Sequence, residues 1–202
     1  MNMPAEIILA SASEACHRLL ASAGINIRSL ASGLDETALK VQFQNSGEQN
    51  IDKLATLLAT AKAEIVSAAN SNALMIGADQ ILIFGGRVID KPKSMQEAKS
   101  QLLELRGKTH HLVSAVTTAR NGSAIWSDSA TAELSMRYFS GKFLEDYLSA
   151  VGDEVLTSVG SYKIEGRGVQ LFDKISGDYF SILGLPLLPL LSFLRSERCL
   201  PS

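Results

Sequence analysis

Met75-Ile76-Gly77-Ala78-Asp79-Gln80-Ile81-Leu82-Ile83 is an apolar run broken by one carboxylate, with Leu74 leading in and Phe84 leading out. A continuous run of this kind predicts a strand buried on both faces. Gly77 and Ala78 are small, so something can approach the backbone closely there. An acid inside such a run is costly unless it is paired, hydrogen-bonded or bound to a metal. Asp79 is therefore the first candidate for chemistry. The plainer alternative is an acid at a strand end that caps a turn or pairs with a lysine, because perturbed acids cluster at functional sites without being confined to them.

The rest of the chain bounds what that strand can serve. With 202 residues, 46% hydrophobic and 20% charged, it can build one sizeable core or two lobes sharing one. A net charge of -2 gives no reason to expect a nucleic-acid polymer or an anionic membrane as partner. Cys16 and Cys199 stand near opposite ends, and the adjacent His110 and His111 make no zinc motif. A cytoplasmic, disulfide-free protein is the expectation. The N-terminus lacks a basic segment and Glu6 precedes the first apolar run, so no signal peptide is expected. Ser181 to Leu194 is the most apolar segment, but it holds Pro186 and Pro189 and is too short to span a bilayer. A buried strand and helix closing the core are expected there.

Taken in order, Glu6 to Ala10 predicts a first strand, followed by a helix with Cys16, Leu19, Leu20 and Ala23 inward and Ser11 or Ser13 as its cap. Hydroxyl residues at a helix N-terminus after a strand make a natural anion site, although many such turns only cap the helix. Ile25 to Leu30 predicts a second strand, leading to the doublet Asp35-Glu36. Two acids at that junction could ligate a divalent cation through oxygen, or simply cap the next segment. Gln42 to Asn50 is polar and reads as a loop. From Ile51 a helix is predicted with Leu54, Leu57, Leu58, Ala61 and Ile65 inward. Lys62 flanks that stripe, where it can snorkel to solvent or aim its ammonium into a cleft.

Beyond the Asp79 strand, Gly85-Gly86 predicts a hairpin with Arg87-Val88-Ile89. Pro92 then holds Lys91 extended. Ser94 and Glu97 form a capping box for a helix with Ala98, Leu102, Leu103 and Leu105 inward, ended by Gly107. Leu112 to Ala119 and Ala124 to Trp126 predict a hairpin around Asn121-Gly122, with Ala132 to Tyr138 as a further strand and a helix capped by Ser140. The glycines around Tyr162-Lys163-Ile164-Glu165 argue for tight turns or close approach, and they form no phosphate-binding glycine motif. One domain over 1–202, bilobal, is the economical organisation.

Together these pieces resemble the Maf family of nucleotide pyrophosphatases over nearly the whole chain. The carriers are Leu9-Ala10-Ser11-Ala12-Ser13, Asp35-Glu36, Ala61-Lys62-Ala63, Gly77-Ala78-Asp79 and Lys91-Pro92. Leu105-Arg106-Gly107-Lys108-Thr109-His110, Tyr162-Lys163-Ile164-Glu165-Gly166 and Gly184-Leu185-Pro186 complete them. Each is weak alone; their order and spacing are specific. The resemblance implies an ITPase-like, mixed α/β fold with a long twisted sheet flanked by helices, and two lobes around a central cleft. It implies cleavage of a nucleoside triphosphate to the monophosphate and pyrophosphate with a divalent metal cation, Mg2+ or Mn2+, and is compatible with a homodimer.

Carried over residue by residue, Asp79 matches the family's catalytic acid. Ser11 matches the first serine of its phosphate loop, with Ser13 beside it, and Glu36, Lys62 and Lys91 match an acid and two lysines lining the cleft. Glu165 stands where many members carry Gln. Glu36 and Asp79 are the implied metal ligands, and Ser11, Ser13, Lys62, Lys91 and Glu165 the implied substrate contacts. The chain departs from the usual pattern in three places. Ser13 is followed by Glu14-Ala15-Cys16-His17-Arg18 rather than Pro-Arg-Arg, Thr157 to Tyr162 lacks an Asp and a Lys, and Gln80 replaces a common Thr. These departures bear on nucleobase choice and rate. They also motivate an alternative, a nucleotide-binding regulatory protein of cell division or septum formation with little turnover.

Overall fold

The structure is a computed structural model that describes residues 6–201. The chain divides into two compact units. The first comprises the chain up to Gln80, Ser114–Ala130 and the chain from Asp178 onward; the second comprises Ile81–Val113 and Thr131–Gly177.

In the first unit, β1 (Glu6–Leu9) runs parallel to β2 (Ile27–Ser29) and to β3 (Ala73–Phe84), with Leu9 opposite both Ser29 and Ile76. Parallel neighbours need helical crossovers. Here α1 (Glu14–Ser22) supplies one, and α2 (Glu36–Asn45) and α3 (Lys53–Ala68) supply the other. The predicted doubly buried strand is present: Ala73 to Ala78 are all buried. Successive strand residues face opposite ways. Leu74, Ile76 and Ala78 pack with Cys16 and Leu20 of α1 and with Leu187, Leu190 and Leu194 of α7 (Leu187–Ser196). Met75, on the opposite face, packs with Ala63 and Val66 of α3.

Gly77 sets how close α3 comes. A Cβ there would lie 2.1 Å from the Ala59 carbonyl oxygen, 2.8 Å from the Ala63 nitrogen and 2.9 Å from the Ala63 Cβ. Only a missing side chain allows that approach. The expected inward stripe of α3 holds at Leu54 and Leu58, both buried, and is rotated elsewhere. Its buried residues include Ala55, Ala59, Lys62 and Ala63, whereas Ile65 is 45% exposed. At Gly77 it is the small Ala59 and Ala63 that meet the strand.

Three further elements differ from expectation. The polar stretch read as a loop from Gln42 is helical as far as Asn45, because α2 begins at Glu36 under an Asp35 cap whose Oδ1 accepts from the Ala38 N–H at 3.0 Å. The apolar segment from Ser181 forms helices only: α6 (Tyr179–Ile182), capped by Asp178, precedes α7. β6 (Ser123–Met136) is one strand, where two short ones were expected. It follows β5 (Thr109–Arg120) through the Asn121-Gly122 turn, whose φ values of 51° and 78° are those of a tight hairpin.

In the second unit, β4 (Arg87–Ile89) pairs antiparallel with the end of β3, as the Gly85-Gly86 turn predicts. The helix α4 (Met95–Leu105) starts at the expected Ser94 cap, which accepts from the Glu97 N–H at 3.2 Å. α5 (Gly141–Val151) starts at Ser140 in the same way. β7 (Phe172–Ser176), a strand not expected from the sequence, pairs antiparallel with β6. Among the described residues, seven strands make one sheet in the order β2-β1-β3-β5-β6-β7, with β4 beside β3, so the fold is mixed α/β as expected.

Candidate functional site

Gly77 and Asp79 are two residues apart on β3, so they face the same side, toward α3. On α3, Lys62 lies three residues from Ala59 and beside Ala63, the pair that meets Gly77. The close approach at Gly77 therefore delivers Lys62 to Asp79. The Lys62 Nζ donates to Asp79 Oδ1 at 2.6 Å and pairs with Glu36 Oε1 at 2.7 Å. Glu36 opens α2, one residue past its Asp35 cap. The two acids of the doublet thus split their work, one capping the helix and the other reaching Lys62.

Burial separates the two carboxylates. The side chains of Lys62 and Asp79 are 11% and 10% exposed, whereas that of Glu36 is 43% exposed. Burial pushes the Asp79 carboxyl above its usual range, against the opposing pull of Lys62, and the Glu36 charge adds to the rise. Lys40, four residues along α2 from Glu36, also pulls the Asp79 value down. Burial works against the charge on Lys62, but the attraction of Asp79, together with Glu36, outweighs it and raises its pKa. The cluster thus keeps its lysine charged while making its inner acid readier to hold a proton. Lys40 escaped the sequence reading because no helix was expected from Glu36 onward. Once the helix is known, the i, i+4 spacing from Glu36 places both on one face.

The serine loop leaves β1 beside the same part of β3, for the Ala10 N–H donates to the Ile76 carbonyl at 2.7 Å. Ser11 is buried and its Oγ accepts from the Ser13 N–H at 3.1 Å. Ser13 is the α1 cap, accepting from the Cys16 N–H at 3.3 Å. His17, which follows the positions where the arginines are usual, has its Nδ1 3.0 Å from Ser29 Oγ. Gln80 faces away from Asp79. Its Nε2 lies 2.8 Å from Ser114 Oγ and 3.1 and 3.0 Å from the Ser181 and Ile182 carbonyls, so it ties β3 to β5 and α6.

Lys91 and Glu165 belong to the second unit. Lys91 is exposed just after β4, ahead of the buried Pro92, and Glu165 is exposed in a turn. That turn is tight because a Cβ on Gly168 would lie 2.5 Å from the Lys163 carbonyl oxygen. The same unit holds an arrangement the sequence did not disclose. His110 is fully buried, with Nε2 2.7 Å from the Tyr162 hydroxyl and Phe172 against both rings. Among the described residues its Nδ1 has no partner. Burial, with a smaller push from His111, lowers its pKa to about 4.

Glu36 and Asp79 offer hard oxygen donors converging on one cationic point, which suits a magnesium-like ion. Among the described residues, no group of three or more His, Cys, Asp and Glu could hold a metal. An ion here would therefore draw its remaining ligands from water and phosphate, as magnesium commonly does. Among the described residues, no helix is long and apolar enough to cross a membrane.

Comparison with known proteins places this geometry in context. The family model described as Maf-like protein matches residues 6–197. A nucleoside triphosphate pyrophosphatase of Granulibacter bethesdensis is 45% identical over 96% of this chain and 98% of its own. A 7-methyl-GTP pyrophosphatase of Brucella abortus is 44% identical over 98% of this chain and 99% of its own. Another of that name, from Rhizobium meliloti, is 46% identical over 94% of each chain.

Proposed function

The chain belongs to the Maf-like protein family, and from that premise we propose that it is a nucleoside triphosphate pyrophosphatase. It hydrolyses a nucleoside or deoxynucleoside triphosphate, modified nucleotides among them, to the monophosphate and pyrophosphate. The observation that carries this is Asp79, its side chain 10% exposed, held 2.6 Å from the Lys62 ammonium. Relatives named for 7-methyl-GTP make N7-methylguanosine triphosphate the first nucleotide to test.

In this mechanism the Ser11 and Ser13 loop and the first N–H groups of α1 receive phosphate oxygens. Lys62 and Lys91 balance the negative charge of the triphosphate, and Glu165 contacts the substrate. Asp79 orients the attacking water and takes its proton. A carboxyl raised above its ordinary pKa by burial is better matched to that task near neutral pH. Water attacks one phosphorus of the α–β anhydride in line, the bridging P–O bond breaks, and monophosphate and pyrophosphate result. Glu36 and Asp79 would hold a divalent cation, Mg2+ or Mn2+, which when bound supplies neutralisation of phosphate charge and a more acidic water. Chemistry of this kind rests mostly on positioning and charge.

A cytoplasmic location, no nucleic-acid polymer as partner, and a homodimer complete the proposal. The test is pyrophosphate release by the purified protein with Mg2+ or Mn2+ across a panel of ordinary and modified triphosphates. Turnover of at least one is expected, and silence across the whole panel would overturn the proposal.

A further inference from the structure

We propose that the Lys62 ammonium is a resident stand-in for the divalent cation, filling the seat between Asp79 and Glu36 in the free protein and yielding it when the ion arrives. The inference rests on the reading of Glu36 and Asp79 as the ion's ligands. One nitrogen lies 2.6 Å from one carboxylate and 2.7 Å from the other, at the point where both acids converge. The Asp79 side chain is 10% exposed, and removing the ammonium in contact with it would leave a charge that folding must desolvate. An ammonium with three donors on a flexible stem suits such a seat, and it can leave without moving the backbone.

Two cations cannot share the same carboxylate oxygens at this range without strong repulsion. Entry of the ion therefore frees Lys62, and the freed ammonium is available to a phosphate oxygen. Ion and nucleotide would then bind cooperatively, each favouring the lysine position that suits the other. The free protein would hold a divalent ion weakly and a nucleotide-loaded one firmly.

The test is Mn2+ alone, titrated into nucleotide-free protein and followed by electron paramagnetic resonance. Lys62→Met removes the competing charge at similar length, and Mn2+ should bind it about tenfold or more tightly than it binds wild type. Lys62→Arg keeps a fixed charge in the seat and should bind no more tightly than wild type. Lys62→Met binding Mn2+ no better than wild type, in folded protein, overturns the stand-in while leaving the ligand reading intact. No Mn2+ binding by any of the three overturns both, whereas the hydrolytic activity is judged separately by pyrophosphate release from wild type.

If Lys62→Met does not fold, amine acylation of wild type followed by mass spectrometry decides the matter. Lys62 should react slowly next to Lys142, whose side chain is 84% exposed. Saturating Mn2+ should raise the Lys62 rate several-fold and leave Lys142 unchanged. An unchanged Lys62 rate overturns the proposal.

Discussion

Gly77→Ala is the smallest change that tests whether the approach of α3 to β3 builds the site. Placing an alanine in a strand interior would ordinarily stabilise it by about 0.4–1 kcal/mol, by restricting the unfolded chain. Here the new methyl would sit 2.1 Å from the Ala59 carbonyl oxygen and under 3 Å from two atoms of Ala63. Carbon atoms pack best at about 3.5–4.0 Å, so the helix must withdraw by more than about 1 Å. Overpacking of this kind costs about 1–3 kcal/mol and occasionally more. For a domain of this size, each kcal/mol corresponds to about 2–4 °C in Tm, so about 3 kcal/mol lowers it by about 6–12 °C. The same withdrawal breaks the 2.6 Å contact of Lys62 with Asp79. A misplacement of about 1 Å in a catalytic constellation costs about 100-fold in rate. Thermal unfolding by circular dichroism and pyrophosphate release, measured on one preparation, report both effects. A variant with unchanged Tm and full turnover would refute the reasoning.

Two other outcomes follow from groups outside the Lys62, Asp79 and Glu36 cluster. His110 has its folded pKa depressed to about 4 from an ordinary 6.5, so its neutral form stabilises the fold. That contribution is complete above about pH 6.5 and is lost as pH falls toward 4, amounting at most to about 3 kcal/mol; a urea-midpoint profile should show the loss in wild type and a flatter curve in His110→Phe. Gln80→Leu removes the donor shared by Ser114, Ser181 and Ile182, which should cost about 1–3 kcal/mol in urea unfolding yet leave pyrophosphate release within a few-fold, because Gln80 faces away from Asp79.

What the sequence disclosed was whatever its local chemistry overdetermined. The buried strand around Asp79 followed from an unbroken apolar run, and the helix starts at Ser94 and Ser140 followed from their caps. The Asn121-Gly122 turn needed positive φ at both residues, which those two residue types supply best. α2 escaped because it buries no residue among its ten, so it has no apolar stripe to betray it. On α3, Leu54 and Leu58 lie inward as expected, but Leu57, Ala61 and Ile65 do not, because apolar size was weighed and closeness to Gly77 selects alanine. β7 and the pairing of His110 with Tyr162 depend on partners distant in sequence, and no local pattern encodes them. For the site, Asp79 stood out as an acid in an apolar run. The meeting of Lys62 and Glu36 with it was expected from the resemblance, and the tight contact of α3 on β3 supplies the physical reason.

The measurement that bears most directly on the central claim is pyrophosphate release by Asp79→Asn with the best triphosphate of the panel, beside its Tm. Removing a general base costs about 10²–10⁴-fold in rate. Asp79→Asn keeps the side-chain shape but takes one carboxylate from the buried Lys62, so Tm should be unchanged or lower, and turnover is compared well below it. Activity lost in a fully folded protein is the predicted result. Wild-type turnover by Asp79→Asn would contradict the account.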